Sequence, residues 1–578
     1  MDISIFTNMR LKIIRLTIIG LFLLVTLDLF YVQVIRGKYF FKLSKNNSIR
    51  IVSLEGWRGR IKDRNGEILA DNRTAYNVMV TPQDIIDIQK LFRFISRVTG
   101  VSQKKISRRY RQKKFTPFTP VVILEDVTRQ TAITIEENTY RFPSLFIQKS
   151  FKRIYPLEGN SAHVLGYVGK ISQAKKEKFK EYGYSPQSVV GYLGVEEYYD
   201  RYLKGEQGGL QIEVNSRGQQ VRLLSLKEPT KGEDIQLTID SRLQKIVQEL
   251  LEGKLGAVVV MDMENGEILS MVSSPTYDPN VFVDMQKRKS ATKLFKQASS
   301  PFMNRAIKGQ FPPGSVFKVP VAIAALDSKK VTPYTSFICR GFYELGGIRF
   351  GCTHVHSAQN LIESLAHSCN IYYYRIGEKL GADKIYHYAS LLGLGKLTGV
   401  DLPYEKAGFI PNRRKGLLSR RQWYAGDTLN FSIGQGDVLT TPLQLTLMMS
   451  TVAREGIEVQ PHVIKNISGR KLDQSSFLQR IKIDKHIFQE IKKGLRATVT
   501  DYTGTAHAVN LNEIYVAGKT GTAQSSKDKE HHSWFVGYAK GEVRNIVFCI
   551  FLEHGGSSHN AVLLTRQLLL KMKQEKML

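Results

Sequence analysis

Apolar and polar positions follow three different patterns along this chain, and each pattern predicts a different kind of element. Residues 16–27 are uncharged, and apolar character continues past Asp28 through Leu29-Phe30-Tyr31-Val32 to Ile35. That is long enough for one helix to cross a bilayer. Short apolar runs broken by Asn-Gly predict hairpins at Ile61/Asn65-Gly66/Ile68 and at Gly256–Asp262/Asn265-Gly266/Glu267–Val272. Asp234–Asp240 reads as a strand that enters a helix at Ser241. Helical stretches follow at Val319–Leu326 and Leu361–Ala366, with an aromatic run at Ile371–Tyr374, and strands return from about Ala517 to Leu552. Strands, a helical middle and strands again predict an α+β domain whose helices pack on an antiparallel sheet built from both ends.

The 578-residue length exceeds what one hydrophobic core covers, so several domains are expected, and a hydrophobic content of 42% excludes general disorder. The first apolar run could instead be a cleaved signal peptide. No small-x-small site follows it, however, and Tyr31, Tyr39 and Phe40 resemble an interfacial belt, so it reads as an uncleaved anchor. Arg10, Lys12 and Arg15 are matched by Arg36, Lys38, Lys42 and Lys45 beyond it, so flanking charge does not set its orientation.

The net charge of +31, with Lys104, Lys105, Arg108, Arg109, Arg111, Lys113 and Lys114 in one short span, raises nucleic acid as a partner. No nucleic-acid motif accompanies these residues, so a solvated helix face is the better reading and no nucleic-acid partner is expected. On an exported domain such charge favours anionic wall polymers and lipid headgroups. Residues 153–169 and 191–209 are glycine-punctuated and carry no catalytic constellation, and His163 among them reads as structural.

The chemistry lies in three stretches. Phe311-Pro-Pro-Gly-Ser-Val-Phe-Lys318 delivers Ser315 onto the start of an apolar helix. Lys318, one turn on, shares its face and can reach the serine hydroxyl. A serine needs a base to become nucleophilic, and a lysine serves only when its surroundings keep it partly neutral. Ser-x-x-Lys alone recurs by chance. Ser368-Cys369-Asn370 can point a hydroxyl and an amide into one cleft, and Lys519-Thr520-Gly521-Thr522 sets a second cation and hydroxyl beside a glycine at a strand edge. Singly, these are an ordinary cap, turn or strand end.

Jointly and in this order the three resemble the motif set of the penicillin-interacting serine enzymes. With Asn304-Arg305-Ala306, Arg153-x-Tyr-Pro, His163-x-x-Gly-Tyr-x-Gly, Gly434-Gln435-Gly436 and Thr441-Pro-Leu-Gln444, the chain resembles the class B penicillin-binding proteins from about residue 10 onward, with the elongation-type penicillin-binding protein 2 group nearest. The resemblance implies a short cytoplasmic tail (1–12), a single transmembrane anchor (13–35), a non-catalytic, β-rich, dimerisation-type pedestal (36–233) and a penicillin-binding, serine β-lactamase-like transpeptidase domain (234–578) on the periplasmic or outer side of the cytoplasmic membrane. It implies a peptidoglycan D,D-transpeptidase for cell-wall elongation and cell shape, with carboxypeptidation as a side reaction and inhibition by β-lactams. Ser315 would be the nucleophile and Lys318 its base. Ser368 and Asn370 would relay the proton and hold the peptide, Lys519 and Thr520 would bind the terminal carboxylate beside Gly521, and the backbone N–H groups of Ser315 and Thr522 would form the oxyanion hole.

The implied partners are stem peptides on lipid-linked nascent glycan, a SEDS-family glycosyltransferase (RodA) and other elongation-complex membrane proteins. Val316 stands where the family commonly has threonine, and Pro320 follows Lys318 by two residues rather than one; neither departure removes a chemical group. A scaffold that activates the glycosyltransferase, and a β-lactam-sensing or -hydrolysing relative, are the alternative functions.

The chemistry requires no cofactor. Even so, Cys339, Cys352 and Cys369 fall close together with His354 and His356, while Cys549 sits apart in an apolar strand. Thiolates and imidazoles grouped this way suit a structural zinc, and the resemblance selects Cys339, Cys352, His356 and Cys369 as its ligands. The resemblance supports this, because some elongation-type members bind metal in this segment through a histidine spaced from the second-motif cysteine as His356 is from Cys369. A Cys339–Cys352 disulfide and simple packing are the alternatives.

Overall fold

The apolar runs near both ends of the last region lie side by side in the computed structural model. Gly256–Asp262 (β1), Ile268–Ser274 (β2), Tyr515–Ala523 (β3), His532–Lys540 (β4) and Asn545–Leu552 (β5) form one antiparallel sheet in the order β2-β1-β5-β4-β3. The structure describes residues 3–54, 56–113, 117, 120–178, 188–214, 220–284, 288–412, 422–471, 479–525 and 529–578. Lys114 of the basic span therefore lies outside the described residues, as do the first two residues of the tail.

The helices that matter here are Ser241–Leu250 (α1), Lys318–Asp327 (α2), Leu361–Ala366 (α3), Asn370–Leu380 (α4), Pro442–Ala453 (α5), Lys485–Thr500 (α6) and Ser558–Gln574 (α7). Successive side chains of a strand face opposite ways, and here both faces are covered. Val258, Val260, Phe535, Phe548 and Ile550 pack with Leu243 and Val247 of α1 and Leu568 and Met572 of α7. The alternate residues Val259, Met261, Trp534, Val536, Val547 and Phe551 share a core with Val319 and Val321 of α2, Met448 and Val452 of α5, and Leu495 of α6. Burial on both faces is why these strands read as unbroken apolar runs. Each fully buried large aliphatic or aromatic side chain contributes about 1.5–3 kcal/mol.

The hairpins form where Asn-Gly marks them. Gly266 (φ +80°) turns β1 into β2, and Gly66 (φ +95°) turns Ile61–Lys62 into the strand that begins at Ile68. Asp240 caps α1 by accepting from the backbone N–H groups of Arg242 and Leu243.

Two compact units divide the chain. One holds Met1–Trp57, Thr74–Lys152 and Gly205–Lys231; the other holds Arg58–Arg73, Arg153–Lys204 and Gly232–Leu578. In the second unit a buried ion network ties the early segments together. The carboxylate of Glu196, fully buried, accepts from Arg58 Nε at 2.8 Å and Arg153 Nε at 2.7 Å, and Arg58 also donates to Asp200 at 2.6 Å. Removing either side of such a network strands an unpaired buried charge. His163 lies buried against the Pro301 carbonyl, and burial lowers its pKa to about 4.

In the first unit, helix Ile3–Phe30 runs on through Tyr31–Ile35, and within Leu11–Ile35 an 18-residue stretch reaches a mean hydropathy of 2.3. Among the described residues this is the one helix long and apolar enough to cross a membrane. A three-stranded antiparallel sheet joins Ile49–Leu54, Gly208–Val214 and Gln220–Lys227. Helix Gln103–Lys113 buries Ile106 and Tyr110 against a small core with Leu91, Ile95 and Ile123. Lys104, Lys105, Arg108, Arg111 and Lys113 of that helix are exposed.

Candidate active site

Ser315 does not sit in the α-helix itself. Gly314–Phe317 is a 3₁₀ turn, and α2 begins at Lys318. Pro320 falls in the first turn of α2, where its missing N–H leaves no hydrogen bond unmade. Three close approaches hold the turn. Gly314 (φ +54°) donates its N–H to the Gly434 carbonyl at 3.1 Å, and a Cβ on Gly314 would lie 2.6 Å from the Thr522 carbonyl oxygen. The buried Trp534 of β4 donates its indole N–H to the Pro312 carbonyl at 3.1 Å. A Cβ on Gly521 of β3 would meet the Pro313 carbonyl at 2.7 Å.

Lys318 is fully buried. Its Nζ donates to the Ser368 carbonyl at 2.6 Å, to Asn370 Oδ1 at 2.7 Å and, more distantly, to Ser368 Oγ at 3.3 Å. The contact expected between Lys318 and the Ser315 hydroxyl is not formed: among the described residues Ser315 makes no side-chain hydrogen bond. A buried ammonium takes carbonyl and amide oxygens, which carry more negative charge, ahead of a neutral hydroxyl. Burial lowers the Lys318 pKa to about 8, against an opposing effect of Cys352 and Cys369. Ser368 has φ +57°, a conformation costly for a non-glycine residue, and that twist turns the loop between α3 and α4 toward Lys318. Tyr373 of α4 lies with its ring 5.3 Å from Nζ.

Lys519 and Thr520 are buried in β3, the edge strand. Burial, with the like charge of Lys318 behind it, pulls Lys519 well below the ordinary lysine range. Its Nζ lies 3.5 Å from Thr520 Oγ1. Thr522, exposed, flanks the Ser315 turn, and Gln435 Nε2 donates to its carbonyl at 3.4 Å. All three motifs thus meet in one place. Sequence reasoning missed Tyr373 and Thr505, whose hydroxyl is 2.8 Å from that of Thr520, because neither belongs to a motif that announces itself. Gln435 was legible only as part of a resemblance.

The cysteine cluster adjoins this site. One ligand atom from each of Cys339, Cys352, His356 and Cys369 lies within 4.8 Å of the others, and all four cysteines of the chain are free thiols. His356 Nδ1 is 3.6 Å from Cys339 Sγ and 3.5 Å from Cys352 Sγ. The Cys369 thiol and the Asn370 N–H, 3.2 Å away, hold Cys352 well below the usual thiol range. Cys549 is buried in β5, apart from the cluster.

Geometry of this kind defines a serine acyl-transferase of the penicillin-recognising class. The family model "Penicillin binding protein transpeptidase domain" matches residues 256–569, and "Penicillin-binding Protein dimerisation domain" matches 53–237. The peptidoglycan D,D-transpeptidase MrdA of Haemophilus influenzae is 30% identical over 572 residues, which cover 94% of this chain and 88% of that protein. MrdA of Escherichia coli K12 is 31% identical over 571 residues, with 94% and 90% covered. Among solved structures, the penicillin-binding protein (PBP2) of Helicobacter pylori in complex with MreC matches with a TM-score of 0.82 at 29% identity, covering 92% of this chain and 99% of that one. PBP2 of Pseudomonas aeruginosa in complex with WCK 5153 matches with a TM-score of 0.69 at 28% identity, covering 90% and 96%. The chain belongs to the class B penicillin-binding proteins of the penicillin-binding protein 2 type, the peptidoglycan D,D-transpeptidases.

Proposed function

We propose that the chain cross-links peptidoglycan stem peptides through an acyl-enzyme on Ser315 during cell-wall elongation. The observation that carries these roles is the buried Lys318, one turn from Ser315 and hydrogen-bonded to both Ser368 and Asn370. A neutral lysine amine keeps two N–H donors and gains a lone pair. The donors stay on the Ser368 carbonyl and Asn370 Oδ1 while the lone pair takes the Ser315 proton.

The serine oxygen then attacks the carbonyl of the penultimate D-alanine. The Ser315 and Thr522 backbone N–H groups stabilise the oxyanion. Ser368 passes the proton to the leaving D-alanine amine, and Asn370 holds the peptide backbone. The terminal carboxylate binds Lys519 and Thr520, with Gly521 leaving room, and restores the charge that burial disfavours on Lys519. An amine of a neighbouring stem then attacks the acyl-enzyme, forming the cross-link and freeing Ser315. β-Lactams enter the same path and stop at the acyl-enzyme.

Residues 1–12 are assigned to a cytoplasmic tail, 13–35 to the anchor in the cytoplasmic membrane, 36–233 to the pedestal and 234–578 to the catalytic domain outside it. The substrate is lipid-linked nascent glycan, and the partners are a SEDS-family glycosyltransferase (RodA) and an MreC-like protein. The solved complexes of similar chains support such partners: one is a complex of PBP2 with MreC from Helicobacter pylori, another a peptidoglycan synthase complex. Three thiols and an imidazole this close fit a structural zinc. Cys339, Cys352, His356 and Cys369 would hold it, and the metal would supply a cross-link that pins the Ser368–Asn370 loop, with no part in the bond-making steps.

Labelling the full chain with fluorescent penicillin and mapping the modified peptide tests the assignment. Ser315→Ala is expected to abolish labelling with the fold intact; labelling that persists would place the nucleophile elsewhere.

A further inference from the structure

The loop after α6 presents a side chain to the Lys-Thr-Gly strand from behind. Its shape is set locally: Asp501 Oδ1 accepts from Thr503 N at 2.9 Å and from Thr503 Oγ1 at 2.8 Å, and Ala506 N donates to the Thr498 carbonyl at 3.0 Å. Gly504 is squeezed against the helix end, where a Cβ would lie 2.4 Å from the Thr498 carbonyl oxygen. His367, next to the second motif, meets Thr503 Oγ1 through Nε2 at 3.0 Å. Thr505 then docks on the end of α3, just ahead of that motif, with its N–H donating to the Ala366 carbonyl at 3.1 Å and its hydroxyl 3.3 Å from the same oxygen. The same hydroxyl is 2.8 Å from Thr520 Oγ1.

We infer that Thr505 is a positioning residue: its hydroxyl, 2.8 Å from Thr520 Oγ1, orients the Thr520 proton toward the substrate carboxylate. This rests on the reading of Thr520 as a carboxylate ligand. The argument is one of proton counting. A hydroxyl has one proton to donate and two lone pairs. To serve a carboxylate, Thr520 must donate its proton to that carboxylate, so it cannot also donate to Thr505. The pair survives only if Thr505 becomes the donor, giving up its longer contact with Ala366. Lys519 Nζ, 3.5 Å from Thr520 Oγ1, points the same way, because an ammonium can only donate. With both neighbours donating, neither takes the Thr520 proton, which is left for the ligand. A chain of donors ending on an anion also polarises each link. Thr505 also links two elements of the site, since one side chain touches both the end of α3 that leads into Ser368 and the strand that carries Lys519.

The test is acylation of the full-length, detergent-solubilised protein by benzylpenicillin and by its methyl ester, which lacks the carboxylate. Thr505→Val keeps the shape and removes the donor; loss of one such bond to a charge-bearing chain corresponds to about tenfold slower acylation by benzylpenicillin. The loss should appear in the half-saturating concentration rather than in the limiting rate. Thr505→Ser should recover acylation to within about threefold of the parent, since the hydroxyl donor is what counts. Toward the ester, Thr505→Val should match the parent, and on a Thr520→Val background it should cost nothing more.

Equal loss toward acid and ester, or full additivity with Thr520→Val, would make Thr505 a structural residue and overturn the inference. Parent-like acylation of Thr505→Val in the presence of a strong Thr520→Val defect would overturn it while leaving the carboxylate reading in place. If Thr520→Val itself keeps full preference for the acid over the ester, the carboxylate reading fails and the inference goes with it.

Discussion

Lys318 Nζ donates to Asn370 Oδ1 at 2.7 Å, so the buried cation of the first motif is held by the amide of the second. A neutral amide can hold either form of the lysine, because it accepts an N–H bond from an ammonium or from an amine. An acidic side chain at that place would lock the ammonium. The pairing therefore suits the role proposed for Lys318, a base that gains and loses a proton in each cycle.

The first prediction follows from the lowered pKa of Lys318. Only the neutral amine can take the Ser315 proton, and burial brings the Lys318 pKa down to about 8. Acylation by benzylpenicillin should accordingly rise with pH from 6 and level off above 9, with a midpoint near 8 rather than at the ordinary lysine value of about 10.4. Asn370→Asp places a carboxylate against the ammonium, raises the Lys318 pKa and should move that midpoint upward. Stopped-flow acylation across this range checks both, and a flat profile in the parent protein would remove Lys318 from the role of base.

Gly521→Ala is expected to impair the enzyme without altering any reacting group. The new Cβ would come to 2.7 Å from the Pro313 carbonyl and 2.9 Å from Val316 Cγ2, and the Pro313 backbone together with the buried Val316 and Trp534 leaves little room to yield. The Ser315 turn must shift away from β3. A stability loss of about 1–3 kcal/mol is expected from overpacking, and acylation should slow by at least about tenfold because a misplaced nucleophile loses its alignment. Thermal melting and penicillin acylation of the same preparation measure the two effects, and parent-like acylation would show that the contact does not place the nucleophile.

For the cysteine cluster, elemental analysis of protein purified without chelator should find about one zinc per chain, as a closed site of four N and S ligands holds. Cys352→Ser should lose the metal, lower the melting temperature and slow acylation, because Cys352 Sγ accepts from the backbone N–H of Asn370. A metal-free protein with two fewer titratable thiols than its four cysteines would replace the zinc by a disulfide.

The topology prediction concerns the helix that includes Leu11–Ile35. Alkaline phosphatase fused after residue 50 should be active, since the proposed substrate exists only outside the cytoplasm. An inactive fusion that is cytoplasmic by fractionation would contradict both the anchor and the function assigned to the chain.

Much of this was legible from local pattern. The Asn65-Gly66 and Asn265-Gly266 turns, the N-cap at Asp240 and the two-sided apolar strands depend on a few neighbouring residues, and they form where the sequence places them. The three motifs were recognisable because their residue types and order are jointly rare, and the cysteines because their spacing is short. The placement of Ser315 differs: it lies in a 3₁₀ turn ahead of the α-helix. Periodicity points to a helix across the whole apolar run, but the turn at Gly314–Phe317 is shaped by Gly434, Trp534 and Gly521, which come from elsewhere in the chain.

The sequence by itself determined the class of fold, the family, the membrane-length helix and the identity of the candidate reacting groups, because each is encoded in residue type and short-range spacing. Tertiary structure alone decided what those groups touch. Lys318 gives its protons to Ser368 and Asn370 rather than to Ser315, Thr505 meets Thr520, and Glu196 gathers Arg58 and Arg153 into the catalytic unit. Partners such as Arg58 and Glu196, 138 positions apart, are chosen by how helices and strands pack, and no local pattern records that choice. The physical reason is that a buried charge or hydroxyl takes whichever acceptor the folded core brings within about 3 Å, and that is a property of the assembled core rather than of the segment.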